Sequence, residues 1–195
     1  GIGYIEIRSL DINPSKQVGI DKQQIQFIEA FLLYCLLEDS RPLSTSDLYN
    51  IDKNASLIAH KGRQPGLQMH HNDGKLSRDE WANEIFEGIR QCSTLLSIEH
   101  QSSVENISLR ISNPDLTPSA IMLNEMQNQE QGFFEYTDQF SYKNKEHYKN
   151  LVVDKGYFDE LDELSSSSKR NQLEIESSDE VSFDQFLEDY MACDD

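Results

Sequence analysis

The stretch GYIEIRSLDINP, residues 3–14, alternates with a period of two, and it stands alone in doing so. Ile5 and Ile7 fall on one side; Tyr4, Glu6 and Arg8 fall on the other. The β-branched residues suit a pleated surface, and Asn13-Pro14 ends the run. A lone strand leaves its backbone donors and acceptors unpaired and is not stable by itself in water. The alternation therefore constrains the fold first: other strands, from outside the sequence in hand, must complete a sheet around this one. An opening Gly-Ile-Gly with no initiator Met agrees with a portion of a longer protein, cut near or inside a folding unit.

The rest of the chain reads as helices. Asp21 is the expected N-cap of a helix over about 21–39, which turns apolar nearly all round at AFLLYCLL and so should be the most buried one. STSD at 44–47 opens a second helical stretch to His60, in one or two pieces. KGRQPGL at 61–67 is a loop, because two glycines and a proline oppose any regular element. Ser77 and Glu80 form a capping box ahead of a helix to about residue 98, with Trp81, Ile85, Phe86, Ile89, Cys92 and Leu96 at helical spacing. Another spans about 102–111. Thr117 and Pro118 then restart the chain as N-cap and N1, with helix to about 130 and again over 133–151. Four serines at 165–168 should weaken helix beyond Gly156, and 182–191 closes the chain as a last amphipathic helix with Phe183, Phe186, Leu187 and Tyr190 on one side. The expected class is α+β, mostly α. Residues 1–18 are the last part of a sheet, 19–150 a helical supporting region, and 151–195 an acidic, partly mobile helical tail.

Charge narrows the function. Net charge is −18 over 195 residues, and from Leu151 onward fourteen acids face three bases. This argues against a nucleic-acid grip or an anionic membrane surface. No apolar run approaches the roughly 20 residues of a membrane span. Cys35, Cys92 and Cys193 are far apart and form no CxxC; the first two sit in apolar helical patterns and read as buried thiols of a reducing compartment.

Two motifs carry possible chemistry. DGKLSRDE at 73–80 matches the second half of a calcium loop, but its first ligand positions would be Met69 and His71, neither a hard oxygen donor. A turn at Asp73-Gly74 feeding the capping box explains the same residues. The other motif is the polar side of the opening strand. Residues two apart lie roughly 6.5–7 Å apart on one face, so Glu6 and Arg8 look into the same space. They are either a solvent-facing ion pair or the floor of a site, the acid for a cation and the base for an anion. Arg63, in its glycine-rich loop, is a second candidate anion contact.

YIEIRSLDINP, VGIDKQQIQFIEAFLLYCLL, GRQPGL and NPDLTPSAIML, four segments in order across residues 3–125, resemble the bacterial, proteobacterial-type glutamate–cysteine ligases (γ-glutamylcysteine synthetases) in their C-terminal portion. The resemblance implies a carboxylate–amine ligase fold similar to glutamine synthetase, in which an antiparallel catalytic sheet holds the site and helices surround it. It implies an ATP-dependent, cytoplasmic ligase using L-glutamate, L-cysteine and Mg²⁺ (or Mn²⁺) in the first step of glutathione biosynthesis. On that match Glu6 is a metal ligand, and Arg8 is the catalytic, nucleotide-binding contact to the transferred phosphate. The missing N-terminal part of the same enzyme is the chief partner, so the fragment is expected to be inactive alone. The competing reading is a non-catalytic acidic helical interaction module whose opening strand docks on a partner's sheet.

Overall fold

The structure, a computed structural model, describes residues 3–8, 10–71 and 74–192. Two compact units divide the chain, residues 1–145 and 146–195.

In the first unit, residues 3–8 are not hydrogen-bonded into any sheet of this chain. Both sides of the stretch are open: Tyr4 and Ile5 are exposed, as are Glu6 and Arg8. The strand expected over 3–14 thus has no ladder here, for want of a neighbour. Behind it the chain reverses. Asn13 donates its N–H to Gly19 O at 2.8 Å, and Gly19 donates to Lys16 O at 3.0 Å. Gly19 sits at φ +77°, and an added Cβ would lie 2.8 Å from the Ile12 side chain, so only glycine closes this turn.

Helix α1, Lys22–Leu37, follows, with the Gln24 N–H donating to the Asp21 carboxylate at 2.9 Å. Helix α2, Thr45–Lys61, is one unbroken helix capped by Ser44. Then come strands β1, Gln68–His71, and β2, Gly74–Ser77, an antiparallel pair in the register Met69 to Leu76 and His70 to Lys75. Helix α3, Arg78–Ser93, starts at the Ser77–Glu80 capping box. It stops short of the expected residue 98, because helix α4 begins early, at Ile98–Ser112, with the Ser97 backbone and hydroxyl both reaching His100 Nδ1. A 3₁₀ turn at Pro114–Leu116 leads to α5, Pro118–Asn128, and then α6, Phe133–Lys149.

The core lies where α1, α3 and α4 meet. Ala30, Ile89 and Val104 are fully enclosed, with Phe27, Tyr34, Ile85 and Phe86 around them. The rings of Phe27 and Phe86 stack at 5.3 Å. Two small residues allow the close approach: Ala30 on α1 and Gly88 on α3, the latter directly beneath the Tyr34 ring. One polar contact sits among these apolar ones. The Ser103 hydroxyl donates to Gln26 Oε1 at 2.9 Å, and both residues are buried. The expectation that α1 is the most buried helix does not hold in this chain. Only Gln26 and Ala30 are buried, and Leu36 and Leu37 remain 76% and 60% exposed. α3 and α4 cover one side of α1, and its other apolar side stays open. Cys35 is on that open surface, so of the two thiols read as buried only Cys92 is so; Cys193 lies outside the described residues.

In the second unit, α7 runs unbroken over Lys155–Ser178 and α8 over Phe183–Ala192. The serines at 165–168 do not interrupt α7. Each costs about 0.5 kcal/mol against alanine, and strong helix formers flank them on both sides. No residue of either helix is buried. No described helix is long and apolar enough to cross a membrane.

Candidate functional site

Glu6 and Arg8 meet each other. The Arg8 Nε donates to Glu6 Oε1 at 2.9 Å and its Nη2 to Oε2 at 3.0 Å, a fork-to-fork pair. The side chains are 82% exposed for Arg8 and 54% for Glu6. An ion pair so open to water is held by about 0–1 kcal/mol. It therefore orients the two groups without locking them: a divalent cation at the carboxylate and a phosphate at the guanidinium could each replace the partner at little cost. Glu6 is a hard oxygen donor of the kind Mg²⁺ takes, and such sites use one or two protein carboxylates with waters and substrate phosphates. Among the described residues no three His, Cys, Asp or Glu side chains gather into a metal cluster. Glu6 thus offers one oxygen donor, and the described residues around it do not supply the others that a metal site would need.

The calcium-loop resemblance dissolves in the geometry. Met69 is buried on β1, and the His71 ring stands edge-on to Trp81 at 4.9 Å between centroids. The Asp73 expected at the turn lies outside the described residues.

The KGRQPGL segment is a loop, as its composition implies, and two residues not read as important fix it in place. Asn54 of α2 is buried and uses its amide as a surrogate strand. Its Nδ2 donates to His70 O at 2.7 Å, and its Oδ1 accepts the His70 N–H at 2.9 Å. Arg78, at the first position of α3, donates from Nη1 to Gly62 O and from Nη2 to Ile111 O, while its Nε binds Asp79 Oδ1 at 2.6 Å. One guanidinium thereby ties the ends of α2 and α4 to the start of α3. Nothing local in the sequence marks either role, since the backbone groups of His70, Gly62 and Ile111 that these two side chains bind are at least sixteen residues away. Arg63 itself is exposed at the head of the loop.

Residues 1–58 match the family model described as glutamate–cysteine ligase, a span that includes Glu6 and Arg8. The chain is 32% identical to the glutamate–cysteine ligase of Pseudomonas putida, over 98% of this chain and 38% of that protein. It is 34% identical to that of Shewanella pealeana, over 97% and 37%. The crystal structure of the Francisella tularensis glutamate–cysteine ligase in complex with AMP superposes with a TM-score of 0.84 at 22% identity, over 94% of this chain and 37% of that one, and so shares the fold. The chain spans little more than a third of the length of these relatives. Nearly the whole of this chain is therefore similar to a part, little more than a third, of the glutamate–cysteine ligases.

Proposed function

We propose that this chain serves in an ATP-dependent ligase that joins the γ-carboxylate of L-glutamate to the amine of L-cysteine. ATP phosphorylates the γ-carboxylate, giving γ-glutamyl phosphate and ADP; the amine then attacks the acyl carbon and phosphate leaves. The family match at residues 1–58 supports this reading, and so does the AMP bound by the Francisella relative. The observation that carries it is the convergence of Glu6 and Arg8 on one side of a stretch that has no sheet of its own here.

Phosphoryl transfer needs positioning and charge neutralisation more than covalent chemistry. Arg8 offers a planar fork to the moving phosphoryl group, held in readiness by Glu6. Glu6 would hold Mg²⁺ (or Mn²⁺), which when bound draws charge from the phosphate oxygens. Residues 1–18 would form the last part of the catalytic sheet, whose other strands and metal carboxylates come from the remainder of the enzyme. The open apolar side of α1 is a surface for that remainder to cover. Carboxylates on the strands of the remainder of the enzyme, at metal-compatible spacing, would favour the ligase over a non-catalytic acidic interaction module; in the described residues the pair itself is a solvent-facing one and does not separate the two readings.

The test uses the complete enzyme. Glu6→Gln should raise the magnesium concentration needed for half-maximal phosphate release. Arg8→Ala should cut turnover by roughly 10²–10⁴, the scale of losing an arginine from a phosphoryl-transfer site. Wild-type kinetics in both variants would refute the assignment.

A further inference from the structure

In a chain with twice as many acids as bases, the longest stretch without a carboxylate runs from residue 53 to 72, between Asp52 and Asp73. It holds Lys53, Lys61, Arg63 and three histidines. The fold concentrates part of this charge. A cavity of about 370 Å³ opens at the end of α2, lined by His60, Lys61, Arg63, Gln64 and, from the start of α5, Ser119. His60 and Lys61 complement the negative end of the α2 dipole, which is a sufficient local role for them. Arg63 lies beyond the helix cap and has no such role.

Arg63 is also set apart by its partners. Of the seven arginines, Arg8, Arg41, Arg78, Arg90 and Arg170 are ion-paired, and Arg110 has Asp21 within electrostatic reach. Arg63 has no carboxylate or carbonyl partner among the described residues, and neither does Lys61. The turn that presents them is fixed. Gln64 donates its N–H to Lys61 O at 2.8 Å, and the Arg78 guanidinium takes the Gly62 carbonyl. At Gly62 an added Cβ would lie 2.5 Å from Ile58 O, so the tight closure requires glycine. Ser119, in the first turn of α5, borders the same cavity, so the positive end of that helix's dipole lies near it.

We infer that this cavity is a second anion site, distinct from the Glu6–Arg8 pair, that takes a phosphate-bearing ligand with Arg63 as its fork and Lys61 as its point charge. Phosphate matches the planar donors of arginine in geometry, and a cavity of about 370 Å³ has room for a polyphosphate chain. The inference stands apart from the ligase reading, since neither Glu6 nor Arg8 takes part.

Calorimetric titration of the 195-residue chain with inorganic phosphate, tripolyphosphate and ATP tests it. Saturable, submillimolar binding of tripolyphosphate is expected, with amide shifts confined to Gly62, Arg63, Gln64 and Ser119 in NMR spectra. Arg63→Ala should weaken it ~10-fold or more, the loss of a charge-assisted contact; Lys155→Ala, in the other unit, should leave it unchanged. ATP binding more tightly than tripolyphosphate makes it a nucleotide-phosphate site, and equal binding makes it a free-phosphate site; both support the inference. The absence of saturable heat up to about 10 mM of every ligand overturns it. So does binding that survives Arg63→Ala unweakened. Arg63 is exposed, so its removal leaves the fold intact, and circular dichroism verifies this.

Discussion

Removing the Asn54 amide should unfasten the hairpin. In the native structure this one side chain satisfies both outward-facing backbone groups of His70, at 2.7 and 2.9 Å. Asn54→Ala strands a half-buried N–H and a half-buried C=O together. Each unsatisfied group costs about 1–3 kcal/mol, and partial access of water to His70 places the pair at about 2–4 kcal/mol. With a urea dependence of about 1–3 kcal/mol per molar, the midpoint should fall by roughly 1–2 M. Trp81 is the natural reporter, because it contacts the neighbouring His71 ring. Asn54→Asp sharpens the test. The substituted carboxylate still accepts the His70 N–H, but its second oxygen faces the His70 carbonyl and repels it. The charged form is therefore disfavoured in the fold, so the carboxyl pKa rises above its unfolded value of about 3.9. A raised folded pKa gives stability that is fully present below the unfolded pKa and lost as pH rises through the folded one. The variant should approach wild-type stability near pH 3 to 4 and lag it at pH 7. An Asn54→Ala midpoint equal to that of the wild type, with unchanged exchange protection of the His70 amide, would refute the reasoning.

Two further outcomes follow from packing and protonation. The Tyr136 hydroxyl donates to Glu125 at 2.5 Å, and burial, together with that carboxylate, pushes the phenol up to about 12. Its contribution to stability should hold below about pH 10 and be lost as pH rises toward 12, so the melting temperatures of wild type and Tyr136→Phe should converge over that window. At Gly88, any added methyl overlaps the Tyr34 ring, and Gly88→Ala should destabilise the α1–α3 contact by about 1–3 kcal/mol, read as an earlier urea midpoint.

The parts of this fold that were legible in the sequence are those with a local cause. Asp21, Ser44, Ser77 and Thr117 announce four helix starts, because an N-cap and its bonded N–H lie within three residues of each other. The start of α4 was missed since His100, not a glutamate or glutamine, occupies the position that answers Ser97. The hairpin was read as a turn only. Its strands contain two histidines, a glycine and no β-branched residue, and Asn54, far away on α2, secures the edge. Of the candidate site, the shared side of Glu6 and Arg8 followed from strand alternation, and the structure adds that they grip one another. The unpartnered state of Arg63 is not visible to any local pattern, since it depends on where every carboxylate ends up.

The Gln26–Ser103 contact has a consequence for how α1 is placed. Greasy surfaces tolerate sliding, and α1 offers leucines and phenylalanines along much of its length. A slip by one helical turn, about 5.4 Å, would exchange one set of oily neighbours for another at little loss. It would also leave an amide and a hydroxyl stranded in the dry interior, which makes every slipped alignment costly. The buried pair thus acts as a detent: it gives α1 a single axial setting on α4, and with it a single anchor point for the turn at residues 13–19 and the stretch that carries Glu6 and Arg8.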